Sequence, residues 1–138
     1  MIALLAVLAA ATFAPSISID EPAPTFGQTV TFTAVYPSAA RKKIGTRQKV
    51  QPQIDVYCSQ NGTLVYWQVT SMQSEQNLGG GWWQGETGSV LLGGVSNMGL
   101  AWGAGAADCE AVVGYYTTDQ TGALYWHDVA DEGFTVAA

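Results

Sequence analysis

The sequence predicts an all-β protein built as a sandwich of two sheets. Short runs that alternate polar and apolar residues recur along the chain, and Gly, Pro and Asn-Gly turn signals separate them at intervals of ~8 to 12 residues. Beyond the N-terminus, no stretch of helical length places apolar residues at a 3.6-residue period. The 138 residues suit one domain. Hydrophobic residues make up 48% and charged residues 12%, against a usual charged share of ~25%. There is ample material for a core under a thin charged coat, so a partner is expected to cover part of the surface.

Residues 2–14, Ile-Ala-Leu-Leu-Ala-Val-Leu-Ala-Ala-Ala-Thr-Phe-Ala, are apolar on every face. Ala9 and Ala11 would suit a secretory cleavage site, but the first basic residue is Arg41, and signal peptides carry their positive charge ahead of the apolar run. The run is shorter than the ~20 residues of a membrane span. A retained arm or strand over 1–15 is the preferred reading and a cleaved signal the alternative, with the domain proper over 16–138. Ser16–Asp20 alternates as a half-buried strand until Pro22 and Pro24 break it. Gln28–Tyr36 is the strongest strand, with Val30, Phe32, Ala34 and Tyr36 on one face and Thr29, Thr31 and Thr33 on the other.

The next segment carries every cation of the chain. Arg41, Lys42, Lys43, Arg47 and Lys49 fall within nine positions, and all 11 acids lie outside them, so a net charge of −6 hides a strong segregation. With Gly45 and Thr46 inside it, the segment reads as an exposed loop. It either keeps the protein soluble or docks on an acidic surface, that of a second copy or of another protein. The overall acidity and the lack of aromatic residues among these cations argue against nucleic acid.

Ile54–Cys58 and Leu64–Val69 flank Gln60-Asn61-Gly62-Thr63 and predict a hairpin, because Asn-Gly supplies the two positive φ angles of a primed turn. That need explains Asn61-Gly62-Thr63 better than a glycosylation sequon does. Adjacent Tyr66 and Trp67 must face opposite ways, one into the core and one outward. Ten glycines crowd Gly79–Gly105, where Ser89–Leu92 alone suggests a short strand, and Trp82 and Trp83 are expected in a glycine-rich loop. Exposed there, they would be contact residues, and folded back they would cover the end of the sandwich. Asp108–Thr117 reads as a long strand, and Ala123–Val129 with Phe134–Val136 as a last one interrupted near Asp131-Glu132-Gly133. About seven such strands suggest a sandwich of immunoglobulin type, with a closed barrel as the alternative.

Chemistry-bearing clusters are sparse. Cys58 and Cys109 lie on predicted strands and are too few for a zinc site, which leaves a disulfide or two buried thiols. His127, the single histidine, lies on a strand, and no G-x-S-x-G elbow accompanies it. Asp20-Glu21 and Asp131-Glu132 are neighbours whose side chains point apart, unlike the facing acids of a glycosidase, and read as solvated loop charges. No glycine cluster is followed by the Lys-Ser/Thr of a phosphate loop. These readings predict no enzyme, no cofactor and no metal.

Pro24-Thr25-Phe26-Gly27-Gln28-Thr29-Val30-Thr31-Phe32-Thr33, Trp102-Gly103-Ala104-Gly105-Ala106-Ala107-Asp108-Cys109-Glu110-Ala111 and the ending Phe134-Thr135-Val136-Ala137-Ala138 resemble the immunoglobulin-like virion proteins of tailed bacteriophages that infect actinobacteria. The resemblance covers about residues 16–138, and its G-Q-x-V-T-F-T motif also occurs in immunoglobulin-like domains of secreted bacterial proteins. It implies a structural protein on the outside of a virion, a capsid decoration or minor capsid protein whose partner is the major capsid protein. Docking would use the apolar arm with Leu4, Leu5 and Leu8, the basic residues Arg41, Lys42, Lys43, Arg47 and Lys49, and Trp82 and Trp83. Self-association and a host-surface glycan are further partners to consider, and a glycan-binding or secreted immunoglobulin-like module is the alternative function. Cys58 follows the strand that would be B by more than twenty residues, so a disulfide would join strands C and F instead of B and F.

Overall fold

A computed structural model of the chain describes residues 12–41, 43–44, 48–49 and 51–138. The described elements are β1 (Ser16–Ile19), β2 (Thr29–Val30), β3 (Phe32–Pro37), a 3-10 turn (Ser38–Arg41), β4 (Lys43–Ile44), β5 (Gln48–Lys49), β6 (Gln53–Gln60), β7 (Thr63–Gly79), β8 (Trp82–Thr87), β9 (Val90–Leu91), a second 3-10 turn (Asn97–Gly99), β10 (Ala107–Thr118) and β11 (Leu124–Val136). Among the described residues there is no α-helix. The protein is an all-β sandwich, as the sequence predicts.

Seven strands form one curled sheet in the order β1-β3-β8-β7-β6-β10-β11, and β2 pairs with β9 in a small second one. The curl runs through β7. Its first part pairs with β6, from Gln60↔Thr63 to Gln53↔Ser71, and its remainder pairs with β8, from Met72↔Thr87 to Gly79↔Trp82. One half is therefore β1-β3-β8-β7 and the other β7-β6-β10-β11, the neighbour order of the ABED and CFG sheets in an immunoglobulin sandwich. At the open side, Thr25 bridges Ala137 in parallel, and the Phe26 and Ala137 amides donate to the carbonyls of Ala137 and Pro24.

The buried faces follow the predicted alternation. Val30, Phe32, Ala34 and Tyr36 point inward from β2 and β3, Ile54, Val56 and Cys58 from β6, and Cys109, Ala111 and Val113 from β10. Phe32 of β3 meets Phe134 of β11 at 6.0 Å between ring centroids, which packs one half against the other. Asn61 (φ 50°) and Gly62 (φ 78°) make the predicted hairpin turn. Tyr66 is buried, Trp67 half-buried, and Tyr66 Oη donates to the Leu91 carbonyl at 2.9 Å. Cys58 and Cys109 are direct cross-strand partners on β6 and β10 and form a disulfide with 4.1 Å between Cα atoms. It lies within one half of the sandwich, joining the strands at the C and F positions.

Several expectations need correction. The strand over Gln28–Tyr36 breaks at Thr31, where Asp20 accepts the Thr31 amide (2.9 Å) and hydroxyl (3.0 Å). Asp20 is thus a structural acceptor, not a free loop charge. Trp82 and Trp83 lie on β8, not in a loop; the turn before them is Gly79-Gly80-Gly81, all at positive φ. β11 runs unbroken through Asp131–Gly133, and the irregularity falls earlier, at Val129, between the pairs Val113↔Ala130 and Gly114↔Asp128. Within the predicted basic loop, Lys43–Ile44 pairs with Gln48–Lys49 as a short hairpin. Leu4, Leu5, Leu8, Lys42 and Arg47 lie outside the described residues.

Burial also sets how the phenols titrate. Desolvation pushes Tyr66 up to about 12. Tyr57 rises to about 12 through desolvation and then the Asp55 carboxylate beside it, and Tyr36 higher still through burial and its bond to Glu75. Unfolded tyrosines ionise near ~10. Stability is therefore expected to hold below about pH 10 and to fall as pH rises through about 12, because only the unfolded chain releases these protons in between. A phenolate absorbance titration checks this: three of the six tyrosines should ionise late, and a single step for all six near ~10 would contradict it.

Candidate functional site

Two surfaces carry the residues that could recognise a partner. The first is a corner at the β7–β8 hairpin. Trp83 pairs across to Tyr36 of β3, on the inward side of the strand, and packs on the core. Arg41 closes over it with its guanidinium carbon 3.4 Å from the ring centroid, while Nε sits 2.8 Å from Glu75 Oε2. The same carboxylate oxygen accepts from Tyr36 Oη at 2.5 Å, and Trp83 Nε1 donates to Ser38 Oγ at 3.2 Å. Arg41 and Trp83, both predicted to meet a partner, are therefore brought together, and they brace the end of the sandwich. Trp82, one residue earlier, points to the opposite side of the strand. It lines an open groove of about 430 Å³ with Thr12, Phe13, Leu78, Gly79 and Gly80. The residues leading from the N-terminal run thus meet Trp82 on one side of β8, while Arg41 lies over Trp83 on the other.

The second surface is the outward face of β7-β6-β10-β11, which sequence reasoning missed. Cross-strand partners share a face, so the register sets it out in rows. Trp67, Tyr57, Glu110 and Gly133 form one, Val69, Asp55, Val112 and Asp131 the next, and Ser71, Gln53, Gly114 and Asp128 the third. Asp55 is 4% exposed and accepts from Gln53 Nε2 (2.8 Å), Tyr57 Oη (3.1 Å) and Trp67 Nε1 (3.3 Å). It fixes the Tyr57–Trp67 stack, whose ring centroids are 5.9 Å apart.

β6 begins at Gln53, opposite Gly114, so beyond that point β10 and β11 continue as a two-stranded ribbon. On the ribbon Tyr116 meets Trp126 edge to face at 4.9 Å, and Trp126 Nε1 donates to Asp128. A Cβ at Gly114 would lie 2.7 Å from Trp126 Cε2 and 2.5 Å from the His127 carbonyl oxygen, so only glycine leaves room for the indole and the β11 backbone there. Asp119 in the tip accepts from the Thr121 hydroxyl (2.6 Å), the Thr121 and Ala123 amides and Tyr125 Oη. These bonds, the Thr121 hydroxyl foremost, hold its carboxyl at about 2.

Asp131 was expected to be a solvated loop charge; it stands on β11 in this face. The Glu110 carboxyl is raised above the usual carboxylate range by desolvation on the sheet and then by the charges of Asp131 and Asp128. The signal was present in sequence as the outward positions of predicted strands, but only the register between distant strands brings them together.

His127 stacks on Tyr115 at 4.9 Å, and its Nε2 lies 2.7 Å from Thr117 Oγ1, so its partner is a hydroxyl and not an acid. Among the described residues no group of His, Cys, Asp and Glu is placed to hold a metal ion, and no helix is long and apolar enough to cross a membrane. No protein family, curated protein or solved structure matches the chain.

Proposed function

We propose that the chain is a non-enzymatic virion module, a capsid decoration or minor capsid protein that docks on the outer shell of a tailed bacteriophage. The observation that carries the docking mode is the corner. Thr12 and Phe13, at the end of the apolar N-terminal run, line a groove with the outward Trp82, and the basic segment starts at Arg41 on Trp83, the next residue of β8. An apolar arm and a large aromatic anchor in one groove, with a cationic segment that begins beside the next residue of the same strand, suit an interface with an apolar centre and a charged rim. The assignment to a virion rests on the resemblance of residues 16–138. Glycan stacking by Trp82 and Trp83 together has less support, because Arg41 covers Trp83 and its indole packs on the core.

The test is co-sedimentation of the purified chain with shells lacking it. Trp82→Ala is expected to weaken binding by at least about tenfold, as loss of an interface anchor does. Lys42→Ser with Lys43→Ser should weaken it most at low salt. Arg41 and Trp83 are left intact because they brace the fold. Unchanged binding by the Trp82 variant would sink the corner as the docking site.

A further inference from the structure

We infer that the outward face of β7-β6-β10-β11, from the Glu110–Asp131 rows to the Tyr116–Trp126 pair, docks the basic segment 41–49 of a second copy of this chain. The inference concerns a face separate from the Trp82 groove, takes the basic segment as its ligand in place of a shell, and holds wherever the protein resides.

Charge complementarity selects the occupant. Glu110, Asp128 and Asp131 occupy successive outward rows of adjacent strands β10 and β11. Arg41 pairs with Glu75 on the other half of the sandwich, away from these three carboxylates. Desolvation and then the charges of Asp131 and Asp128 raise Glu110, and a cation among the three carboxylates relieves the repulsive part. Carboxylates beside an exposed phenol and a half-buried indole are surroundings that hold a Lys or Arg head, through charge-assisted hydrogen bonds and cation–π contact together. Tyr116 is 39% exposed on this face, and the half-buried Trp126 next to it packs over Gly114, where a side chain would collide with it. The chain's own sequence supplies the matching ligand: with Arg41 held by Glu75, Lys42, Lys43, Arg47 and Lys49 are the remaining cations, and all lie in one short segment.

Such a contact joins two different surfaces, so it is heterologous, and copies add head to tail. The full oxidised chain in sedimentation velocity should form a concentration-dependent series of oligomers that shortens as salt is raised. Glu110→Gln with Asp128→Asn and Asp131→Asn should weaken self-association by at least about tenfold, and Lys42→Ser with Lys43→Ser, Arg47→Ser and Lys49→Ser should do the same. The decisive arm mixes the two variants. Each alone should be monomeric, and together they should form a dimer that grows no further, because one supplies an intact segment and the other an intact face. Near-ultraviolet circular dichroism shows that both variants are folded. A monomeric native chain at every concentration, which is also the result if the segment covers its own face, overturns the inference. So does assembly that either variant leaves unchanged, or a mixture that stays monomeric. The cationic segment enters both tests, but Trp82→Ala reads shell binding alone and Glu110→Gln with Asp128→Asn and Asp131→Asn reads self-association alone, so the two readings fail separately.

Discussion

Loss of the Cys58–Cys109 bond is expected to lower the unfolding free energy by about 4 kcal/mol, by the chain-entropy relation for a loop of this length. The two cysteines are 51 residues apart in sequence, so the bond closes much of the chain in the unfolded state. In the folded state it asks little of the backbone, because β6 and β10 already pair and place the two residues directly opposite each other. Both lie in the core, Cys58 at 0% and Cys109 at 6% exposure. The reduced protein should therefore keep its native dichroism without denaturant and unfold at a markedly lower urea midpoint. The double variant Cys58→Ala with Cys109→Ala should show the same shift with a small added loss from the missing sulfurs. Equal midpoints for oxidised and reduced protein would contradict this account of the bond.

Phe32→Ala is expected to cost about 3 to 5 kcal/mol, the range for truncating a buried phenylalanine. Phe32 is 1% exposed, and its ring meets Phe134 from the other half of the sandwich. Its amide also donates to Thr87 Oγ1 of β8 at 3.0 Å, a bond the substitution leaves available. The loss thus isolates packing between the halves from hydrogen bonding within one. The disulfide ties strands inside one half and Phe32 joins both, so the two effects arise from different parts of the fold. Urea unfolding of Phe32→Ala with the disulfide intact checks it, and a loss under about 1 kcal/mol would mean the halves do not share the tight core described.

Local patterning made much of the sandwich legible. The alternation Val30, Phe32, Ala34, Tyr36 became a buried face, and Asn61-Gly62 became the turn of the β6–β7 hairpin. The second part of β7 was hidden because Ser71–Gly79 is mostly polar, with Met72 alone among its apolar residues buried. Three consecutive glycines then made Trp82 and Trp83 look like loop residues, although the glycines form only the turn. The irregularity in β11 falls at Val129 and not at Gly133, beside Gly114, where the β11 backbone and the Trp126 ring come too close for any side chain.

The candidate surfaces were legible only in pieces. Arg41 and Trp83 were singled out separately as partner contacts, and nothing in either neighbourhood announces the Glu75 carboxylate that, with the cation–π contact, turns them into a brace. The acidic and aromatic face depends on the register of β10 with β11 and on the pairing of β6 with β10, strands separated by about a third of the chain. Periodicity tells which residues of each strand share a side; it does not tell which strand lies beside which.

We propose that the chain is a component of a phage particle's outer surface. Quantitative peptide mass spectrometry on purified particles, comparing this chain with the most abundant shell protein, tests it most directly. The account predicts a high and fixed copy ratio, with the peptide that begins at Met1 or Ile2 still present. Absence from particles, or a new N-terminus near Thr12 on a secreted product, would contradict it.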